Sequence, residues 1–158
     1  GGGLDDVWHD PKTDEIFIVD YKSTAGKRNK EMNALEPMSL FGAYKKAYKR
    51  QMDMYQWIMR QNGFNVSNVG YFLYVNGDQH FENGMLAENE DKALMKFEVE
   101  LLAHESDDSW VDNKIMELKT CLHQETCPPH AESGFGPKGD KQCEYATLFD
   151  GMKDNDLI

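Results

Sequence analysis

A chain of 158 residues, 40% hydrophobic and 28% charged, suits one domain with its own core, and no apolar run approaches the roughly 20 residues needed to cross a bilayer. The formal net charge of −11 argues, taken alone, against a nucleic-acid partner, but residues 22–50 carry eight Lys and Arg against two Glu, net +6, which leaves −17 on the remainder. Cys121, Cys127 and Cys143 are an odd number, all in the last quarter, and no basic-then-apolar leader opens the chain; both points argue against a secreted disulfide framework and make a reducing cytoplasm the expected location.

The chain begins Gly-Gly-Gly-Leu-Asp-Asp without a Met, so native sequence is expected upstream; an engineered glycine scar is the other explanation. Leu4–Trp8 reads as a short strand, 9–15 as a turn carrying Asp-Pro and Thr-Asp, and the β-branched and aromatic run Ile16–Lys22 as a second strand paired with the first in a hairpin. Residues 23–37 are polar and broken by Gly26, Asn29, Asn33 and Pro37, and read as a loop. Ser39–Asn62 has helical spacing, with Ser39 as N-cap, Gly63 as C-cap, and Leu40, Tyr44, Tyr48, Tyr55 and Ile58 on an inward face. Val69–Val75 is a strand ended by Asn76-Gly77. Asn89–His104 is predicted as a helix with Leu94, Phe97, Leu101 and Leu102 inward, and Ser109–Leu122 as another with Trp110, Ile115, Leu118 and Leu122 in the core. Residues 125–141, rich in Pro and Gly, are loop-like. This order predicts an α/β or α+β domain, a small mixed sheet flanked by helices, over 1–122, followed by a cysteine-containing tail over 123–158.

Chemistry concentrates at the second strand. Side chains alternate, so Phe17, Val19 and Tyr21 face one way and Ile18, Asp20 and Lys22 the other. A carboxylate and an ammonium at the end of an apolar strand need a reason, because burying either alone is costly; a solvent-exposed ion pair is the simpler reading. If the two strands pair, Asp5 comes close to Asp20, and two neighbouring carboxylates repel unless a cation lies between them or one is protonated. Hard oxygen ligands suit Mg²⁺ or Mn²⁺, and a lysine beside such a site can stabilise charge on a phosphoryl group. Asp6, by alternation, points to the opposite face. On the long helix Gln51 and Tyr55 are four apart and share the aromatic face.

Together these residues carry a resemblance. Gly2-Gly-Leu-Asp5 looks like the Gly-x-x-Asp strand of the PD-(D/E)XK nuclease superfamily, Asp20-Tyr21-Lys22 like its Asp/Glu-x-Lys strand, and Gln51-Met-Asp-Met-Tyr55 like the Gln-x-x-x-Tyr helix of the RecB-like branch. The resemblance covers about residues 2–75 and implies a restriction-endonuclease-like core that hydrolyses DNA phosphodiester bonds in repair, recombination or foreign-DNA processing, with a helicase or other recombination protein as a further partner. It implies that Asp5, Asp20 and the Tyr21 carbonyl bind Mg²⁺ or Mn²⁺ and that Lys22 assists the attacking water and the transition state. Gln51 and Tyr55 would support the site or touch DNA, and Ser23 and Thr24 would hold a phosphate or a water. Two departures stand out. Relatives in that branch usually carry a further His or Glu on a helix upstream of the first acid, which this chain begins too late to contain. Some hold an iron–sulphur cluster, yet Cys143-Glu-Tyr-Ala146 has Ala where a second Cys would stand, so the cluster reads as degenerate or absent.

Cys121, Cys127, His130 and Cys143 could form a Cys₃His zinc site, but only the Cys127-Pro-Pro-His130 step has a ligand's spacing, and three unbound thiols is the better reading. His9 and His80 read as exposed turn residues, His104 and His123 as helix-surface residues. Two other functions compete with the nuclease. One is a catalytically weak module of the same fold that binds nucleic acid or a partner through the basic 22–50 segment. The other is a small metal-organised structural protein built on the cysteine tail, which chelation would unfold.

Overall fold

The computed structural model describes residues 3–26, 28, 29, 31, 33–78, 96–126, 148, 151 and 152. β1 (Asp6–Asp10) and β2 (Glu15–Thr24) form the expected antiparallel hairpin, in which Val7 pairs with Ile18 and Trp8 with Phe17. The turn between them closes through the Asp14 N–H, which donates to the Asp10 carbonyl at 2.9 Å, with Asp14 at φ 56°. Asp tolerates that left-handed geometry better than most residues.

β2 is the hinge of the architecture. It pairs antiparallel with β1 and parallel with β5 (Val69–Asp78), and β5 pairs antiparallel with β6 (Lys96–Glu105), giving a mixed four-stranded sheet in the order β1-β2-β5-β6. Parallel neighbours need a crossover connection. Here it is α1 (Ala43–Gln61), and the chain is therefore a mixed α/β protein with a four-stranded sheet and two helices among the described residues. Two compact units divide at residue 111: Gly1–Val111 holds the sheet and α1, and Asp112–Ile158 holds all but the first residue of α2 (Val111–Leu122). Among the described residues no helix is long and apolar enough to cross a membrane.

The core lies between α1 and one face of the sheet. Ile18, Met52, Val66, Phe72 and Tyr74 are buried together, with Leu4, Ile16, Met38, Leu40, Tyr48, Tyr55, Met59 and Leu102 packed around them. Full burial of a side chain such as Phe72 contributes about 1.5–3 kcal/mol. Gly70 is needed here because a Cβ would lie 2.4 Å from the Met52 sulphur. The last turn of α1 is tied down by Arg60, which donates to Asp108 at 2.5 Å, to the Ser67 carbonyl at 3.1 Å and to Asn68 Oδ1 at 2.8 Å.

Several elements depart from expectation. Asn89–His104 is not a helix over its described part: Lys96–Glu105 is a strand, and 89–95 lie outside the described residues. Phe97 and Leu101 are four apart, which fits a helix, but Lys96-Phe97-Glu98-Val99-Glu100-Leu101 also alternates with period two. The ten-residue ladder with β5 satisfies that reading and places Phe97, Val99 and Leu101 exposed on the face away from α1. The 23–37 loop contains the end of β2 and a small hairpin, β3 (Arg28–Asn29) with β4 (Ala34–Leu35). β5 runs through Asn76-Gly77 to Asp78, because these residues stay paired with Glu98, Phe97 and Lys96 of β6; the buried Asn76 side-chain Oδ1 also accepts the Gly26 N–H at 2.7 Å.

The helix begins at Ala43, after Gly42 at φ 109°, and Ser39 does not cap it; its hydroxyl accepts the Phe41 N–H instead. Gly63, at φ 86°, does close the other end, its N–H donating to the Arg60 carbonyl. The inward face of α1 is Met52, Asp53 and Gln56, flanked by Tyr48, Tyr55 and Met59, while Tyr44 and Ile58 are exposed. Ile115, Leu118 and Leu122 of α2 are exposed rather than core.

Candidate active site

Asp20 and Lys22 share the face of β2 that α1 covers, opposite Phe72 and Tyr74 of β5. Asp20 is 5% exposed. The Lys22 ammonium pairs with Asp20 Oδ2, so this is a buried ion pair and not the exposed strand-end pair of the simpler reading. The lysine is held from the helix side as well. Its Nζ lies 3.5 Å from Gln51 Oε1 and 4.6 Å from the centre of the Tyr48 ring. Gln51 Nε2 in turn donates to the Tyr55 hydroxyl at 2.9 Å. The i, i+4 pair on α1 and the acid-x-lysine of β2 are thus one connected array.

Asp5 stands just ahead of β1. Continuing the β1–β2 register by one residue sets it opposite Asp20, and its Oδ2 accepts the Tyr21 N–H at 2.7 Å. Asp6 points to the other face, where its carboxylate accepts from the Tyr21 hydroxyl at 2.5 Å and the Trp8 indole at 3.0 Å. Those bonds, Tyr21 first, hold the Asp6 carboxyl below its ordinary pKa and push the Tyr21 phenol above its own. Ser23 and Thr24, at the end of β2, are exposed.

Two neighbours of the array were not singled out from the sequence. Lys45 donates to the Tyr74 hydroxyl at 2.6 Å and lies 4.3 Å from the centre of that ring. Burial, chiefly, raises the Tyr74 phenol, with Tyr48 adding and Lys22 opposing. Tyr48 falls one turn before Gln51 and two turns before Tyr55 on the same face of α1, where the sequence assigned it to the core and not to the site.

A second polar cluster lies between α1 and β6. His104 Nε2 is 3.1 Å from Asp53 Oδ1, and the Trp110 indole donates to Asp53 Oδ2 at 3.2 Å. His104 is therefore a paired strand residue rather than a helix-surface one. The buried Gln56 amide donates to the Ser67 carbonyl at 3.0 Å.

The donor chemistry at Asp5 and Asp20 fits a hard divalent cation: two carboxylates set opposite one another across the β1–β2 register, the buried one already facing a cation, the Lys22 ammonium. Among the described residues no three His, Cys, Asp or Glu side chains converge; two carboxylates, a carbonyl and waters would complete such a site without a third. Of the cysteine-tail ligands, Cys121 is exposed on α2, and Cys127, His130 and Cys143 lie outside the described residues, as does Ala146.

Compared with protein-family models, with curated proteins and with solved structures, the chain matches none.

Proposed function

We propose that this chain has a restriction-endonuclease-like core and is a divalent-metal-dependent nuclease that hydrolyses DNA phosphodiester bonds. The observation that carries the reading is the buried Asp20–Lys22 pair, with Asp5 at the adjoining strand end and Gln51 holding the lysine from α1. A buried aspartate–lysine pair on an otherwise apolar strand supports a role beyond stability, because hydrophobic replacements of similar volume are often neutral or stabilising.

Asp5, Asp20 and the Tyr21 carbonyl would hold Mg²⁺ or Mn²⁺, which supplies Lewis-acid stabilisation of the phosphoryl oxygens and a more acidic bound water. Lys22 neutralises negative charge developing on the phosphoryl group. Gln51 and Tyr48 hold the ammonium from the α1 side, and Tyr55 orients Gln51. Ser23 and Thr24, exposed just past the site, offer hydroxyls to a flanking phosphate.

The second reading is a nucleic-acid-binding module of the same fold. It is favoured by the Lys22 ammonium on Asp20, which an incoming cation must displace. Cleavage of labelled single- and double-stranded DNA with Mn²⁺, Mg²⁺ or EDTA, beside Lys22→Ala, decides between them. Metal-dependent cleavage that the variant lacks supports the nuclease; DNA binding without metal-dependent cleavage supports the module.

A further inference from the structure

Aromatic and cationic side chains are interleaved along the start of α1, and the row leads to the Asp20–Lys22 pair. Phe41 is 88% exposed and Tyr44 71% exposed. A lone exposed aromatic calls for no explanation; these two stand among cations. Lys49 Nζ lies 5.7 Å from the centre of the Phe41 ring, Lys45 Nζ 5.3 Å from that of Tyr48, and Lys22 Nζ 4.6 Å from the same Tyr48 ring. Tyr44 and Tyr48 are one helical turn apart, as are Lys45 and Lys49, so the two kinds of side chain run side by side. Lys46 and Arg50 are exposed on the same helix. The whole 22–50 stretch is net +6 on a chain of net −11.

We propose that this row is a docking track for single-stranded DNA, with bases stacked on Phe41 and Tyr44 and phosphates held by Lys45 and Lys49. The proposal rests on the nuclease reading for its direction, since it names the form of substrate brought to Lys22. Charge alone would hold any polyanion. The aromatics make the difference: in a duplex the base faces are already stacked on one another, whereas a single strand offers each face to a ring. Phe41 and Lys49 also line a cleft of about 520 Å³ with Met38, Leu40 and Leu101, beside the track.

The test is anisotropy of labelled oligothymidylate, its duplex with oligodeoxyadenylate and a matching RNA strand, with the full chain in EDTA so that nothing is cut. Single-stranded DNA should bind more tightly than duplex at equal salt. Phe41→Ala and Tyr44→Ala should each weaken single-strand binding roughly tenfold and leave duplex binding unchanged. Lys49→Ala should lower the salt dependence of single-strand binding without removing the preference over duplex. Both aromatics are exposed, so thermal melts of the variants should match the parent and separate lost binding from lost folding.

Equal binding of duplex, or indifference to both aromatic substitutions, overturns the track, and tighter binding of the RNA overturns its assignment to DNA. The two readings fail separately. Aromatic-dependent single-strand binding without metal-dependent cleavage keeps the track and removes the nuclease. Metal-dependent cleavage with both aromatics neutral does the reverse.

Discussion

The Lys22 ammonium sits on the carboxylate of Asp20, two residues back along β2, with 18% of the lysine side chain and 7% of the aspartate side chain open to solvent. Removing one partner of so buried a pair leaves an uncompensated charge, so Lys22→Ala should cost about 3 kcal/mol of stability. It should also lower turnover by about 10²–10³. Because Asp20 is then without its cation, Mn²⁺ should raise the melting temperature of the variant more than that of the parent. Equal shifts, read by thermal melts with and without Mn²⁺, would remove Asp20 from the metal site, as would unchanged metal affinity in Asp20→Ala.

Asp53 joins α1 to the far strand of the sheet by accepting from the Trp110 indole while its other oxygen meets His104. Asp53→Ala would strand two polar groups in a mostly buried setting, and the expected loss is about 2–4 kcal/mol. Asp53→Asn keeps one acceptor and should lose less. Urea unfolding of the two variants gives the comparison; equal losses would mean that the lost contacts are packing rather than hydrogen bonds.

Gly70 and Met52 fill one space. A Cβ at residue 70 would stand 2.4 Å from the Met52 sulphur and 2.8 Å from its Cγ. Gly70→Ala should therefore destabilise by about 1–3 kcal/mol through overpacking, and Met52→Ala by about 2–5 kcal/mol through the cavity it leaves. The double variant should lose clearly less than the sum of the two. Strict additivity in denaturant melts would show that Met52 moves aside without cost.

The Asp6–Tyr21 bond sets a pH window. Bonds from Tyr21 first, then Trp8 and Val7, hold the Asp6 carboxyl below its ordinary 3.8. The folded state thus binds that proton less tightly, and the contribution to stability is present above pH 3.8 and lost as the pH falls through the lowered value. Tyr21 is raised above its ordinary 10.0, chiefly by the bond to Asp6, so its contribution is full below pH 10.0 and is lost as the pH rises through the raised value. Tyr21→Phe should melt below the parent between those limits, with the gap closing outside them. A gap that does not change with pH would assign the loss to packing of the ring.

The β1–β2 hairpin, the long helix and most of β5 were legible because each rests on local pattern: a β-branched run, a tight turn with Asp14, helical spacing over 19 residues. β6 was not. Its apolar residues satisfy two periods at once, and only pairing with β5 chooses between them. The inward face of α1 was legible in part: Tyr48 and Tyr55 pack on the core as expected, but Asp53 and Gln56 look like surface residues until His104, Trp110 and the Ser67 carbonyl are brought to them. Polar side chains can be buried once they are satisfied, and partners 11 to 57 positions away do not register in a local window.

The sequence by itself determined that Asp20 and Lys22 share a face, because strand alternation is a covalent consequence of the backbone. It also determined that Gln51 and Tyr55 share one, through the helical repeat. That the two faces meet was decided only by the tertiary structure. The parallel β2–β5 pairing requires a crossover, α1 lies over the sheet as that crossover, and the fit of Met52 against Gly70 and of Gln51 against Lys22 selects the rotation of the helix that joins them.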